Sequence, residues 1–125
     1  MKTFLRVLVA LPAILFVVTG LRWFIDPEGA ATALGMDLLE GVGRSTQIGD
    51  VGAVFLAMGG MMLIALITAR RSWFYAPALM LVLIALLRVV AWLSHGAALA
   101  MQMIMVELIV AGVLLFASSK LSQAE

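Results

Sequence analysis

The sequence predicts an all-α polytopic membrane protein, a four-transmembrane-helix bundle with a short interfacial helix between spans 1 and 2. Three observations carry that expectation. Hydrophobic residues fill 65% of the 125 positions and charged residues only 12%, with a mean hydropathy of +1.18, whereas soluble domains run at roughly 45 to 50% apolar and about 25% charged. Four apolar runs each approach the roughly 20 helical residues that cross about 30 Å of hydrocarbon. Most of the charges fall between the runs, which leaves one membrane domain over 1–125 with spans at about 4–24, 45–68, 72–93 and 97–117, an interfacial loop at 25–44 and a polar tail at 118–125.

The first run follows Lys2 and Arg6, a basic start that also fits a secretory signal peptide. The run continues to Trp23 and Phe24 without a small-x-small cleavage pattern, so it reads as a retained span closed by an aromatic belt. Pro12 is expected to bend it. Arg22 lies four residues before Asp26, the spacing at which the two pair along a helix face. In the following loop, Asp26 as N-cap, Pro27 at the first helical position and Gly35 as the stop define a short helix. Met36, Leu38, Leu39 and Val42, interrupted by Asp37 and Glu40, read as an interfacial or re-entrant return to the second span.

The chain is organised around the second span. The polar block Gly43-Arg44-Ser45-Thr46-Gln47-Ile48-Gly49-Asp50 passes directly into it, with Ser45 or Thr46 expected to cap its first turn. Gly49, Gly52, Ala53, Ala57, Gly59 and Gly60 recur at the spacing that lets membrane helices approach closely. Arg70 and Arg71 mark a basic turn, and Trp73 with Tyr75 forms an aromatic belt as the third span begins. A tight turn at 94–96 leads to the fourth span. Lys2, Arg6, Arg70, Arg71 and Lys120 fall on one side and Asp26, Glu28, Asp37 and Glu40 on the other, so both termini are expected to be cytoplasmic.

Composition narrows the chemistry. Without cysteine the chain has no thiol-disulfide exchange, iron-sulfur ligation or disulfides of its own, and a single histidine removes bis-histidine haem. His95 has no second histidine or cysteine to share a metal and reads as a residue of the outer turn. The nine methionines, with Met101, Met103 and Met105 alternating, suit gap-filling better than a copper relay. A net charge of +1 gives no reason to expect a nucleic-acid partner. No cofactor, metal site or catalytic residue is expected, nor any enzymatic activity.

The polar residues inside the spans are therefore the candidates. Glu107 lies about ten residues into the expected fourth span, near the bilayer midplane, where an unpaired acid is costly. Arg88 is its expected partner: side chains lean toward the N-terminus of their helix, so two residues on antiparallel spans lean toward each other across an expected depth difference of about 7 Å. Trp92, four residues after Arg88, is expected to anchor the span or stack on the guanidinium. Asp50 is expected about one turn inside the second span, sharing a face with Gln47 and Ala53, so that Arg44, Gln47 and Asp50 line the outer mouth of the same polar pocket. Two readings stand: a buried ion-pair network fixing helix register, or a ligand or proton site.

Gly20-Leu21-Arg22-Trp23 leading to Asp26-Pro27, then Leu34-Gly35, the block from Gly43 to Asp50, Arg88 with Trp92, His95-Gly96 and Glu107 resemble a family of small four-span bacterial inner-membrane proteins. That family is catalogued as a domain of unknown function and is distantly similar to the DoxX-like group. The resemblance spans nearly the whole chain. It implies a single four-helix domain in the bacterial inner membrane, with Arg44, Gln47, Asp50, Arg88 and Glu107 in the family pattern, and it supplies no substrate. The residues themselves leave two functional classes: an accessory or scaffold protein forming a homo-oligomer or part of a larger membrane complex, and a small transporter or binder of a lipid or other amphiphile.

Overall fold

A computed structural model describes residues 1–122. It is all-α, in the order α1 (Lys2–Ile25), α2 (Pro27–Ala33), α3 (Gly41–Thr46), a π-helical turn (Gln47–Val51), α4 (Gly52–Thr68), α5 (Arg71–Ser94) and α6 (Met101–Leu121). Four helical stretches are long and apolar enough to span a membrane: Lys2–Ile25, Gly41–Thr68, Arg71–Ser94 and Met101–Leu121. Side chains that a water-soluble protein would bury stand exposed along them, among them Leu11 at 62%, Leu87 at 63% and Ile109 at 60%. Such a surface is compatible with hydrocarbon as its solvent. The protein is a multi-pass membrane protein with the expected short helix between its first two spans.

By internal contacts the described chain falls into two compact units, Leu11–Gly60 and Met1–Ala10 with the chain from Met61 onward. In the first, the end of α1 and the beginning of α4 approach at their smallest residues. A Cβ on Gly59 would stand 2.6 Å from the Ala13 carbonyl oxygen, one on Gly20 would stand 2.6 Å from Leu56 Cγ, and one on Gly52 would meet Trp23 Cβ at 3.2 Å. Ascending α1 thus descends α4, the ladder of an antiparallel pair in close contact. Phe16 and Phe55 add an edge-to-face pair at 5.7 Å.

The end of α1 turns into α2 as the local chemistry dictates. Asp26 Oδ1 accepts from the Gly29 N–H at 3.2 Å with Pro27 at the first helical position, and Arg22 Nε stands 3.6 Å from Asp26 Oδ2. α2 stops in a Schellman motif: Gly35 has φ +76°, its N–H donates to Thr32 O, and Met36 N–H donates to Ala31 O. Trp23, Ala30 and Ala31 form a small core against which Leu34, Met36, Leu38, Ile48, Val51 and Phe55 pack. Trp23 was expected in a membrane-surface belt but is fully buried there, because α2 folds back over it. Its indole N–H has no partner among the described residues. Phe24 keeps the exposed position.

The second span also begins earlier than its composition suggests. The helix starts at Gly41 after Glu40, with no side-chain cap, so Ser45 and Thr46 lie inside it and cap nothing. The π turn at Gln47–Val51 then inserts a wider turn before α4. α1 continues through Pro12 without a break.

In the second unit, α5 and α6 pack together. Buried positions recur along α5 at Phe74, Ala78, Leu81 and Ala85 and along α6 at Ile104, Glu107, Ala111, Leu114, Ser118 and Leu121. This alternating three- and four-residue spacing is that of a packed helical seam. At one end, cations meet helix C-termini: Arg6 Nη1 donates to Leu66 O near the end of α4 at 3.4 Å, and Arg71 Nε donates to the Ser122 hydroxyl just past α6 at 3.2 Å. Ala69, at φ +55°, makes the left-handed turn between α4 and α5. The expected tail is helical as far as Leu121, and 123–125 lie outside the described residues.

Candidate functional site

Arg88 extends the seam stripe of α5 by one more step after Ala85, and Glu107 occupies the facing stripe of α6. Arg88 Nε lies 3.1 Å from Glu107 Oε1 and 3.0 Å from Oε2, a charge-assisted contact shared by both carboxylate oxygens. The Glu107 side chain is 11% exposed and that of Arg88 is 30%. Counted from the helix ends that face each other in sequence, the two residues are equally far in. α6 begins at Met101 rather than near Ala97, because the chain after Gly96, at φ +70°, stays non-helical through Ala100. Glu107 is thus six residues inside α6 counted from Met101, as Arg88 is six inside α5 counted from Ser94. Both stand about 9 Å in along their helices.

This geometry neutralises two charges where each alone would be costly. The guanidinium contributes only Nε; its two terminal nitrogens have no partner among the described residues. An apolar groove of about 230 Å3 runs along the same pair of helices, lined by Val82, Ala85, Leu86, Val89, Ile104 and Leu108. Trp92 is half exposed and is not stacked on Arg88. Lys120 lies over the Phe116 ring at 5.9 Å instead.

Arg44, Gln47 and Asp50 belong to the other compact unit, where they do different things. Gln47, 6% exposed, is a clamp on the segment that returns from α2. Its Oε1 accepts from Leu39 N–H at 2.7 Å, and its Nε2 donates to Asp37 O at 3.0 Å and to Met36 Sδ at 3.7 Å. Arg44 Nε donates to Leu39 O at 2.9 Å. Asp50 is exposed, as is Ala53. The face that Gln47 was expected to share with them is split, because the π turn between them holds more residues per turn than the regular helix on which that expectation rests.

The small residues of the second span also divide. Gly52 and Gly59 are spent on α1, whereas a Cβ on Gly49 or Gly60 would meet nothing within 4 Å and Ala53 and Ala57 are exposed. Ala53, Ala57 and Gly60, with Gly49 about one turn earlier, therefore form an open stripe roughly a quarter turn from the face that packs on α1. The sequence names all six residues but not this division. Next to α2, Glu28, Thr32, Asp37, Leu38 and Arg44 line a cleft of about 330 Å3, which sequence spacing alone did not single out.

His95 ends α5 in the exposed turn. Among the described residues, no three histidine, cysteine, aspartate or glutamate side chains are grouped so as to hold a metal ion. In comparisons with known proteins, no family model, no curated protein and no solved structure matches the chain.

Proposed function

We propose that this chain is an accessory protein of the bacterial inner membrane, of the small four-span kind, distantly DoxX-like, that its motifs resemble, and that it assembles laterally with a second copy of itself through the second span. The observation that carries this reading is the open stripe of Ala53, Ala57 and Gly60. Small residues facing lipid gain little there, whereas against another helix they permit close backbone approach and dispersion contact over the whole length. In this reading the Arg88–Glu107 pair is a register lock, and no enzymatic step is assigned to the chain. The basic ends at Lys2, Arg6, Arg70, Arg71 and Lys120 face the cytoplasm, and the α2 segment with its acidic residues faces away from it.

The mass of the detergent-solubilised protein tests the assembly. Wild type should exceed the monomer mass and Gly60→Leu should fall to it while remaining folded. A monomeric wild type refutes self-association.

A second reading, binding of an amphiphile, is supported by the groove between α5 and α6 together with the unpartnered terminal nitrogens of Arg88. An acyl chain would lie along Val82 to Leu108 and an anionic head on the guanidinium. Loss of co-purifying lipid on Arg88→Met with the oligomer unchanged would favour it.

A further inference from the structure

The cleft beside α2 plays no part in the association just proposed, and its construction points to a ligand of its own. Its walls are fixed from behind. α2 is capped at both ends and seated on Trp23, the return segment is pinned by Gln47, and Arg44 is tied to the Leu39 carbonyl. The charged groups that line it are unspent. Among the described residues, the Glu28 and Asp37 carboxylates accept no hydrogen bond, the terminal nitrogens of Arg44 donate none, and Arg44 stands within ion-pair distance of neither acid although all three line one cleft. Thr32 gives its hydroxyl proton to Glu28 O at 3.0 Å, which leaves its oxygen free to accept.

A simple cation in this cleft would face the guanidinium, and a simple anion would face two carboxylates. A ligand carrying both signs satisfies every group. An ammonium offers three N–H donors to the two acids and the threonine oxygen, while a phosphate accepts the two parallel bonds that a guanidinium is shaped to give. We propose that the cleft binds an ammonium–phosphate zwitterion and that the source of this group is the headgroup of a phosphatidylethanolamine-type lipid. The rim of the cleft is apolar. Leu39 and Val42, between the lining residues Leu38 and Arg44 in sequence, are 51% and 83% exposed. Phe24 and Ile25, just before α2, are 78% and 75% exposed. Apolar side chains of this kind place the cleft at headgroup depth, with hydrocarbon beside it for the acyl chains.

The test uses the full chain in nanodiscs containing phosphatidylethanolamine, phosphatidylcholine and phosphatidylglycerol in equal parts, with the lipid retained after mild detergent extraction measured by mass spectrometry. Phosphatidylethanolamine should be enriched several-fold over phosphatidylcholine, whose methylated nitrogen has no N–H to donate, and over phosphatidylglycerol, which has no ammonium. Glu28→Gln combined with Asp37→Asn should abolish that preference with little change in the thermal unfolding midpoint, since neither carboxylate takes part in a hydrogen bond or ion pair among the described residues. Arg44→Gln, still able to donate to the Leu39 carbonyl, should lower retention about tenfold, the scale of losing charge-assisted hydrogen bonds. A second arm titrates free phosphoethanolamine into protein freed of lipid. Weak or absent binding there beside strong lipid retention assigns the site to the membrane lipid; equal binding keeps the ammonium–phosphate chemistry and overturns the lipid source. Equal retention of the ethanolamine and choline lipids with no binding of free phosphoethanolamine overturns the proposal, as does an unchanged preference in the double carboxylate variant.

Discussion

Arg88 sets its Nε 3.0 and 3.1 Å from the two oxygens of Glu107, with each residue six positions inside its own helix. Either charge alone at such a place is costly, since a lone ion inside a span must carry its own desolvation cost. Two helices that are merely apolar can slide past one another by a turn, whereas two helices that share this pair cannot without separating the charges.

The single changes Arg88→Met and Glu107→Gln should each destabilise the protein by about 1 to 3 kcal/mol, below the cost of breaking a wholly buried pair because the guanidinium is partly exposed. The double change should recover much of the loss, since no charge is then left unpaired. A thermal-unfolding cycle in nanodiscs measures this, and strictly additive effects would remove the pair from the account.

The glycines of the second span should respond by face. Gly59→Ala drives a methyl against the backbone of Ala13 and Val17 and should cost about 1 to 3 kcal/mol. Gly60→Ala meets open space and should leave the unfolding temperature of the monomer unchanged or slightly higher, because alanine favours the helix over glycine. Similar losses at both positions would contradict the division into a packed and an open face.

Gln47→Leu keeps the side-chain bulk but strands the Leu39 N–H and the Asp37 carbonyl. The expected loss is about 1 to 2 kcal/mol, the cost of leaving part-buried polar groups unpaired. Hydrogen exchange at Leu39 should rise with it. Unchanged protection at Leu39 would show that the return segment holds itself.

How much of this was legible in the sequence follows from what each signal encodes. Hydropathy over 20 residues reports length, so four membrane-length helices were readable, and capping chemistry at Asp26, Pro27 and Gly35 placed α2 because each of those residues acts locally. Rotation about a helix axis and the depth of a residue are not local quantities. The π turn at Gln47–Val51 follows no composition rule, yet it separates Gln47 from Asp50. Glu107 counts as ten residues into its span by composition and as six into α6, because the non-helical stretch before Met101 is apolar and reads as span. Trp23 was assigned to the membrane surface because nothing in its neighbours announces that α2 will cover it. The same gap hid the sorting of Gly52 and Gly59 from Gly60: spacing says that small residues recur, and only the partner helix says which of them are used.

Topology is open to a direct check. A phosphatase fused after Gly35 should be active and one fused at the C-terminus inactive, as the distribution of Lys and Arg requires. The reverse pattern contradicts the proposed orientation.

Lateral self-assembly through the open stripe can be tested directly by cross-linking, because the chain has no native cysteine. Single changes Ala53→Cys and Ala57→Cys are oxidised in native membranes, with Leu79→Cys, on an exposed position of α5, as the control. A disulfide-linked dimer is expected at position 53 or 57, with little at 79 and loss of the product when Gly60→Leu is added. Equal cross-linking at all three positions, or none at 53 and 57, would contradict it.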